Sequence, residues 1–183
     1  MNMKKRGMGA RMKRNRGFSL IELLIVVAII LIIAAIAIPN LLRAKIAADE
    51  SSAASSVRSI NTAEFAYNAA FPANGYAAAL SNLGGASPCA PTVAAACLID
   101  NVLATAIAGS AGKSGYIFAA TGLVPNGAAN LSFVSAASPM DYNRTGVRDF
   151  CSTEDGVIRF DAGAPGNTPV NSLAACRAFN VMQ

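Results

Sequence analysis

At 183 residues the chain has room for about one domain, which argues against a multidomain enzyme. It is 54% apolar and only 14% charged, and it contains no His and no Trp, so the usual general base of an active site is missing. The net charge of +5 arises at one end: seven of the fifteen cations (Lys4, Lys5, Arg6, Arg11, Lys13, Arg14, Arg16) precede Gly17 among no acidic residues, and the remainder sets eight cations against ten anions, which does not suggest a broad nucleic-acid surface.

Residues 18–38, FSLIELLIVVAIILIIAAIAI, form an apolar run of 21 residues whose one ionisable side chain is Glu22. As a helix it reaches about 31 Å, enough to cross a bilayer. The cations ahead of it remain in the cytoplasm by the positive-inside rule, so the chain beyond Pro39 is expected outside the cytoplasmic membrane. A secretory signal peptide cut near Ala35-Ile36-Ala37 is the first competing reading, but the run exceeds a typical segment of about 7 to 15 residues and carries a carboxylate. A plain single-span anchor is the second. It leaves Glu22 unexplained, because a carboxylate in hydrocarbon costs on the order of 3 kcal/mol.

Arg16-Gly17-Phe18-Ser19-Leu20-Ile21-Glu22, followed by the apolar run and Pro39, resembles the processing site and N-terminal helix of type IV pilins and their type II secretion pseudopilin relatives, most strongly over residues 14–60. The resemblance implies cleavage between Gly17 and Phe18 by a membrane-embedded aspartyl prepilin peptidase, and N-methylation of Phe18. It implies further partners: pilus or type II secretion assembly machinery in the inner membrane, and other copies of the chain in a helical filament. The expected course is a single pass in the inner membrane with the N-terminus in the cytoplasm, then an extracellular pilus or a periplasmic pseudopilus. Attachment, twitching motility and DNA uptake are the roles implied for a pilus, with surface or DNA contacts.

Cutting before Phe18 creates a cationic amine about one helical turn from Glu22. A neighbouring subunit's amine can meet this carboxylate, and pairing two desolvated charges rewards one stagger over others, as a polar residue fixes coiled-coil register. Glu22 can alternatively pair with its own amine or reach the interface. Met1, Met3, Met8 and Met12 are all possible starts, and every leader they define is removed by the cut. Leu31 stands where many relatives have glycine, so local unwinding on assembly is expected at Pro39, which has no N–H to give.

Beyond Pro39, Leu42, Ile46, Ala53, Val57, Ile60, Tyr67 and Phe71 recur at helical spacing and Pro72 supplies a stop, predicting one helix from 18 to about 71. Its first half is apolar all round; its second, 39–71, is amphipathic and suited to packing on a head. Phe65, Tyr67 and Phe71 read as packing aromatics rather than an electron-conducting stack. The Ala-, Gly- and Ser-rich stretch 75–112 predicts loop with a short helix at 98–108. Runs 114–122, 130–139, 145–152 and 155–162 then predict a four-stranded antiparallel meander.

The expected fold is therefore α+β: a leader at 1–17, a membrane-spanning and polymerising half-helix at 18–38, an amphipathic half-helix at 39–71, and a small sheet-bearing head at 72–183. The four cysteines, Cys89, Cys97, Cys151 and Cys176, lie in the part expected to be oxidised, and three pairings are open. Closure of local loops favours Cys89 with Cys97 and Cys151 with Cys176, and the second pair resembles the C-terminal disulfide-bounded region of many pilins. No metal site is expected from cysteines this widely spaced without His, and no cofactor or catalytic residue is expected. Asp149, Glu154, Asp155 and Asp161 lack EF-hand spacing and read as solvated turn carboxylates rather than a calcium site. Asn130-Leu131-Ser132 and Asn143-Arg144-Thr145 match the glycosylation acceptor pattern. A membrane-tethered adhesin and a secreted enzyme are the other classes weighed, and neither accounts for Gly17, Phe18 and Glu22 together.

Overall fold

The computed structural model describes residues 17–127 and 129–182. The basic leader expected at 1–17, with its cations and alternative starts, lies outside the described residues apart from Gly17. Two compact units are found, Met1–Asn40 and Leu41–Gln183.

In the first unit the chain enters helix α1 (Leu20–Ala70) after the non-helical residues 17–19, and Leu23 N donates to Ser19 O at 3.2 Å. Ala and Leu favour the helix, and the carboxylate of Glu22 in the first turn suits the positive end of its dipole. The helix is long and apolar enough to cross a membrane, and none of its most apolar stretch is buried. In the unassembled chain α1 continues through Pro39, and the unwinding expected there belongs to assembly. Asn40 Nδ2 donates to Ile36 O at 3.1 Å and supplies a side-chain donor beside the break in the ladder.

In the second unit the remainder of α1 packs on an antiparallel sheet of strands β1 (Tyr116–Asn126), β2 (Ala129–Pro139), β3 (Arg148–Thr153), β4 (Arg159–Ala162) and β5 (Asn180–Val181), in that spatial order. The four-stranded meander becomes five-stranded because Arg159 and Phe160 pair with Val181 and Asn180 of the C-terminus. Such a two-residue strand carries no alternation a sequence pattern could register. The helix expected at 98–108 contracts to α3 (Asn101–Ala104), capped by Asp100, whose carboxylate accepts from Leu103 N at 2.8 Å. Two further short helices, α2 (Leu80–Leu83) and α4 (Leu173–Arg177), are too brief for periodicity to reveal.

Alternation along the strands divides the core. Phe118, Phe150 and Tyr116 join Ala53, Val57, Ile60 and Tyr67 of α1 in one cluster, while the neighbours Val134, Ala136 and Cys151 pack with Cys176, Val170, Leu173 and Phe179 in another. Each large apolar side chain so buried contributes about 1.5 to 3 kcal/mol. Cys89 is bonded to Cys97 and Cys151 to Cys176, with Cα–Cα distances of 6.1 and 5.8 Å. Peptide mapping without reductant should return those two linkages, and a peptide joining either of the first pair to either of the second would contradict this architecture.

Phe65, Tyr67 and Phe71 fall into two local groups. Phe65, Tyr76 and Phe133 meet at centroid distances of 4.8 to 6.0 Å, and Tyr67 leans on Phe71 at 5.0 Å. Their role is packing within the head. At the turn leaving α1, Gly75 has φ +71°, and a Cβ there would fall 2.1 Å from Asn130 O, which accepts from Tyr76 N at 3.0 Å. Only glycine admits that approach of loop to strand.

Candidate functional site

The first group of interest is the N-terminal segment of α1. Phe18 is 83% exposed, Glu22 is exposed, and the apolar side chains from Leu20 to Ile33 lie outward with nothing of this chain upon them. Gly17 and Phe18 precede the helix, so the peptide bond between them lies in non-helical backbone, and a Cβ at Gly17 would meet nothing within 4 Å among the described residues. In the uncut chain Phe18 contributes an uncharged amide nitrogen. Among the described residues Glu22 forms no ion pair. A fully exposed apolar run with one carboxylate near its start has the surface of a subunit that buries this face in lipid or against its own kind.

The second group ties α1 to the head and was not foreseen from the sequence. Glu50 is buried, and its carboxylate accepts from Val147 N at 3.0 Å and from Arg148 Nε and Nη2 at 2.8 and 2.5 Å. The Arg148 guanidinium also lies 5.7 and 5.6 Å from the ring centres of Phe150 and Phe160. Asn61 Nδ2 donates to Ser152 Oγ at 2.7 Å, and Ser135 Oγ donates to Asn61 Oδ1. Glu64 is fully buried and accepts from Ala77 N at 2.8 Å through Oε2, while Oε1 has no partner. Positions 50, 53, 57, 60, 61, 64 and 67 share one helical face, so the 3.6-residue period already placed these polar residues inward. Their polarity concealed it. At the other end of the face Leu42, expected to be core, is 45% exposed because the sheet does not reach it.

Burial lifts the Glu64 carboxyl to about 8, with the Ala77 N–H pulling the other way. The unfolded chain releases this proton near the ordinary pH of 4.5 while the folded chain retains it, so stability contributed here is fullest below that pH and falls as pH rises toward about 8. Glu64→Gln should flatten this slope, raising stability above the window by on the order of 4 kcal/mol relative to wild type. Urea unfolding of the detergent-solubilised chain at pH values on either side of the window measures it, and equal slopes in both proteins would refute it.

The acidic residues of β3 and the following turn are not one group of solvated carboxylates. Glu154 pairs with Arg177 at 2.6 Å, and Asp155 pairs with Arg159, whose hydrogen bond holds the Asp155 carboxyl down to about 2. Asp149, against expectation, is buried beneath Asn167, and burial pushes its carboxyl above the usual range. Among the described residues no three His, Cys, Asp or Glu side chains gather as a metal site would require.

Residues 12–38 match a family model described as the prokaryotic N-terminal methylation motif. A 51-residue stretch is 53% identical to the type IV major pilin protein PilA of Myxococcus xanthus (strain DK1622), covering 28% of this chain and 23% of that relative. No solved structure matches the chain. The aligned stretch thus spans about a quarter of the relative's length, and the head is described here from its own geometry. Over its N-terminal segment the chain is thus similar to the type IV pilin and pseudopilin family, and it joins that segment to the exposed apolar helix and α+β head described above.

Proposed function

We propose that this chain is the subunit of a type IV pilus: a single-pass precursor with its N-terminus in the cytoplasm, cut between Gly17 and Phe18 by a prepilin peptidase, methylated at Phe18, and polymerised through residues 18–38. In this reading residues 1–17 are the leader, 39–71 the half-helix that carries the head, and 72–183 the head itself. One observation carries the proposal: the outward apolar run holds a single ionisable residue, Glu22, one helical turn beyond the bond whose cleavage would create its counter-charge. That arrangement costs insertion energy in the monomer, and a neighbour's Phe18 amine arriving beside Glu22 would offset it.

The Cys151–Cys176 bond, which fastens the C-terminal segment to β3, and the likeness to a protein named a major pilin favour a surface pilus over a secretion pseudopilus. Attachment, twitching motility or DNA uptake are the roles such a filament would serve. Electron microscopy of filaments sheared from the native cells, labelled with antibody to the head, tests the proposal. Labelled filaments along their length are expected. Unlabelled filaments, with the chain confined to the membrane fraction, would overturn it.

A further inference from the structure

Of the two acceptor patterns, Asn130-Leu131-Ser132 lies within β2 and Asn143-Arg144-Thr145 in the turn that follows it, and the structure separates them sharply. Asn130 is locked. Its Nδ2 donates to Tyr76 O at 3.0 Å, its backbone exchanges bonds with Asn74 and Tyr76, and Gly122 lies so close that a Cβ there would fall 2.3 Å from the amide nitrogen. Ser132, which completes that pattern, is buried and donates to Glu154 at 2.8 Å. Freeing Asn130 for reaction would break the junction between the sheet and the loop that follows α1.

Asn143 is the reverse case. It is exposed, stands at φ +64° in the turn between β2 and β3, and makes no side-chain hydrogen bond among the described residues. Its turn is held by others: Thr145 N donates to Asp141 O at 2.9 Å, Asp141 N donates to Thr145 Oγ1 at 3.1 Å, and Arg144 pairs with Asp141 at 3.1 Å. The carboxamide of Asn143 is thus presented on a closed loop without a structural duty of its own. The same turn runs into Val147 and Arg148, which hold Glu50, a residue only twelve positions beyond the apolar run.

We propose that Asn143 is an N-glycosylation site and that Asn130 is not. The donor class is a glycan carried on a polyisoprenyl diphosphate. Asn143 Nδ2 bonds to the anomeric carbon as the bond from that carbon to the diphosphate oxygen breaks; the lipid diphosphate departs with the bonding electrons, and the amide proton passes to a base of the transferase. The threonine hydroxyl two residues on is the recognition element of the acceptor pattern. This assignment rests on the export of the head proposed above.

Intact-mass and glycopeptide spectra of the chain from its native cells decide the matter. Wild type should carry carbohydrate on the peptide containing Asn143. Asn143→Gly, which keeps the positive φ and hence the turn, should lose all of it. Thr145→Ala should lose it too, while Thr145→Ser and Asn130→Gln should retain it. An unmodified Asn143 in wild type, or carbohydrate persisting in Asn143→Gly, would overturn the assignment. The same spectra report the N-terminus separately: a leader still attached would contradict the filament reading, and the state of Asn143 is scored in either event.

Discussion

Cells carrying Glu22→Val should accumulate processed subunit in the inner membrane and shed no filament. The substitution removes a carboxylate whose place in hydrocarbon costs on the order of 3 kcal/mol, so insertion should improve. Residues 41–183, with their own core, are untouched, and the Gly17–Phe18 bond remains available. What is lost is the partner of the neighbouring Phe18 amine. Leaving one member of a desolvated pair unpaired costs about 3 to 5 kcal/mol, which at each contact is roughly two to four orders of magnitude in subunit affinity. Glu22→Gln keeps the shape and should behave alike. Immunoblots of membrane and sheared fractions side by side give the result, and normal filaments at normal levels would mean that apolar helix packing alone sets the register.

Arg148→Ala should produce the opposite phenotype, with the head lost before assembly. Glu50 is buried at 4% side-chain exposure, and Arg148 is its one cationic partner among the described residues. Removing the guanidinium strands that carboxylate between α1 and β3 and withdraws the cation from the Phe150 and Phe160 rings. Because Arg148 is itself 40% exposed, water partly replaces it, and the expected loss is about 2 to 4 kcal/mol. Arg144→Ala is the control: that pair with Asp141 is exposed on both sides, and its removal should cost under about 1 kcal/mol. Urea unfolding ranks the two, and the combination of Arg148→Met with Glu50→Leu should recover much of the loss by removing both charges together. Equal destabilisation by Arg148→Ala and Arg144→Ala would show that the Glu50 contact does not fasten the helix to the sheet.

The elements legible in the sequence were those whose signal is long and repetitive. The apolar run with its lone carboxylate, the 3.6-residue period from Ala53 to Tyr67, and the alternating runs that became β1 to β4 each span enough residues for a pattern to emerge. Short pieces fixed by distant partners were not legible. β5 exists only because Arg159 and Phe160 offer an edge to it, and α2 and α4 span four and five residues. The polar fasteners were hidden for a different reason. Glu50, Asn61 and Glu64 obey the period of the buried face but carry side chains that ordinarily avoid it, and only the sheet and loop opposite explain them. Asp149 was misread likewise, since the loop that brings Asn167 over it is eighteen residues away in sequence. The segment that matches the methylation motif, residues 12–38, was legible because its signal lies in consecutive residues.

The most direct test of the filament reading is the intact mass of the chain in filaments sheared from its native cells. A polypeptide that begins at Phe18, carries one methyl group on that amine and retains both disulfide bonds is expected. A chain that begins at Ile38, after Ala35-Ile36-Ala37, or one that keeps the residues before Phe18, would contradict it.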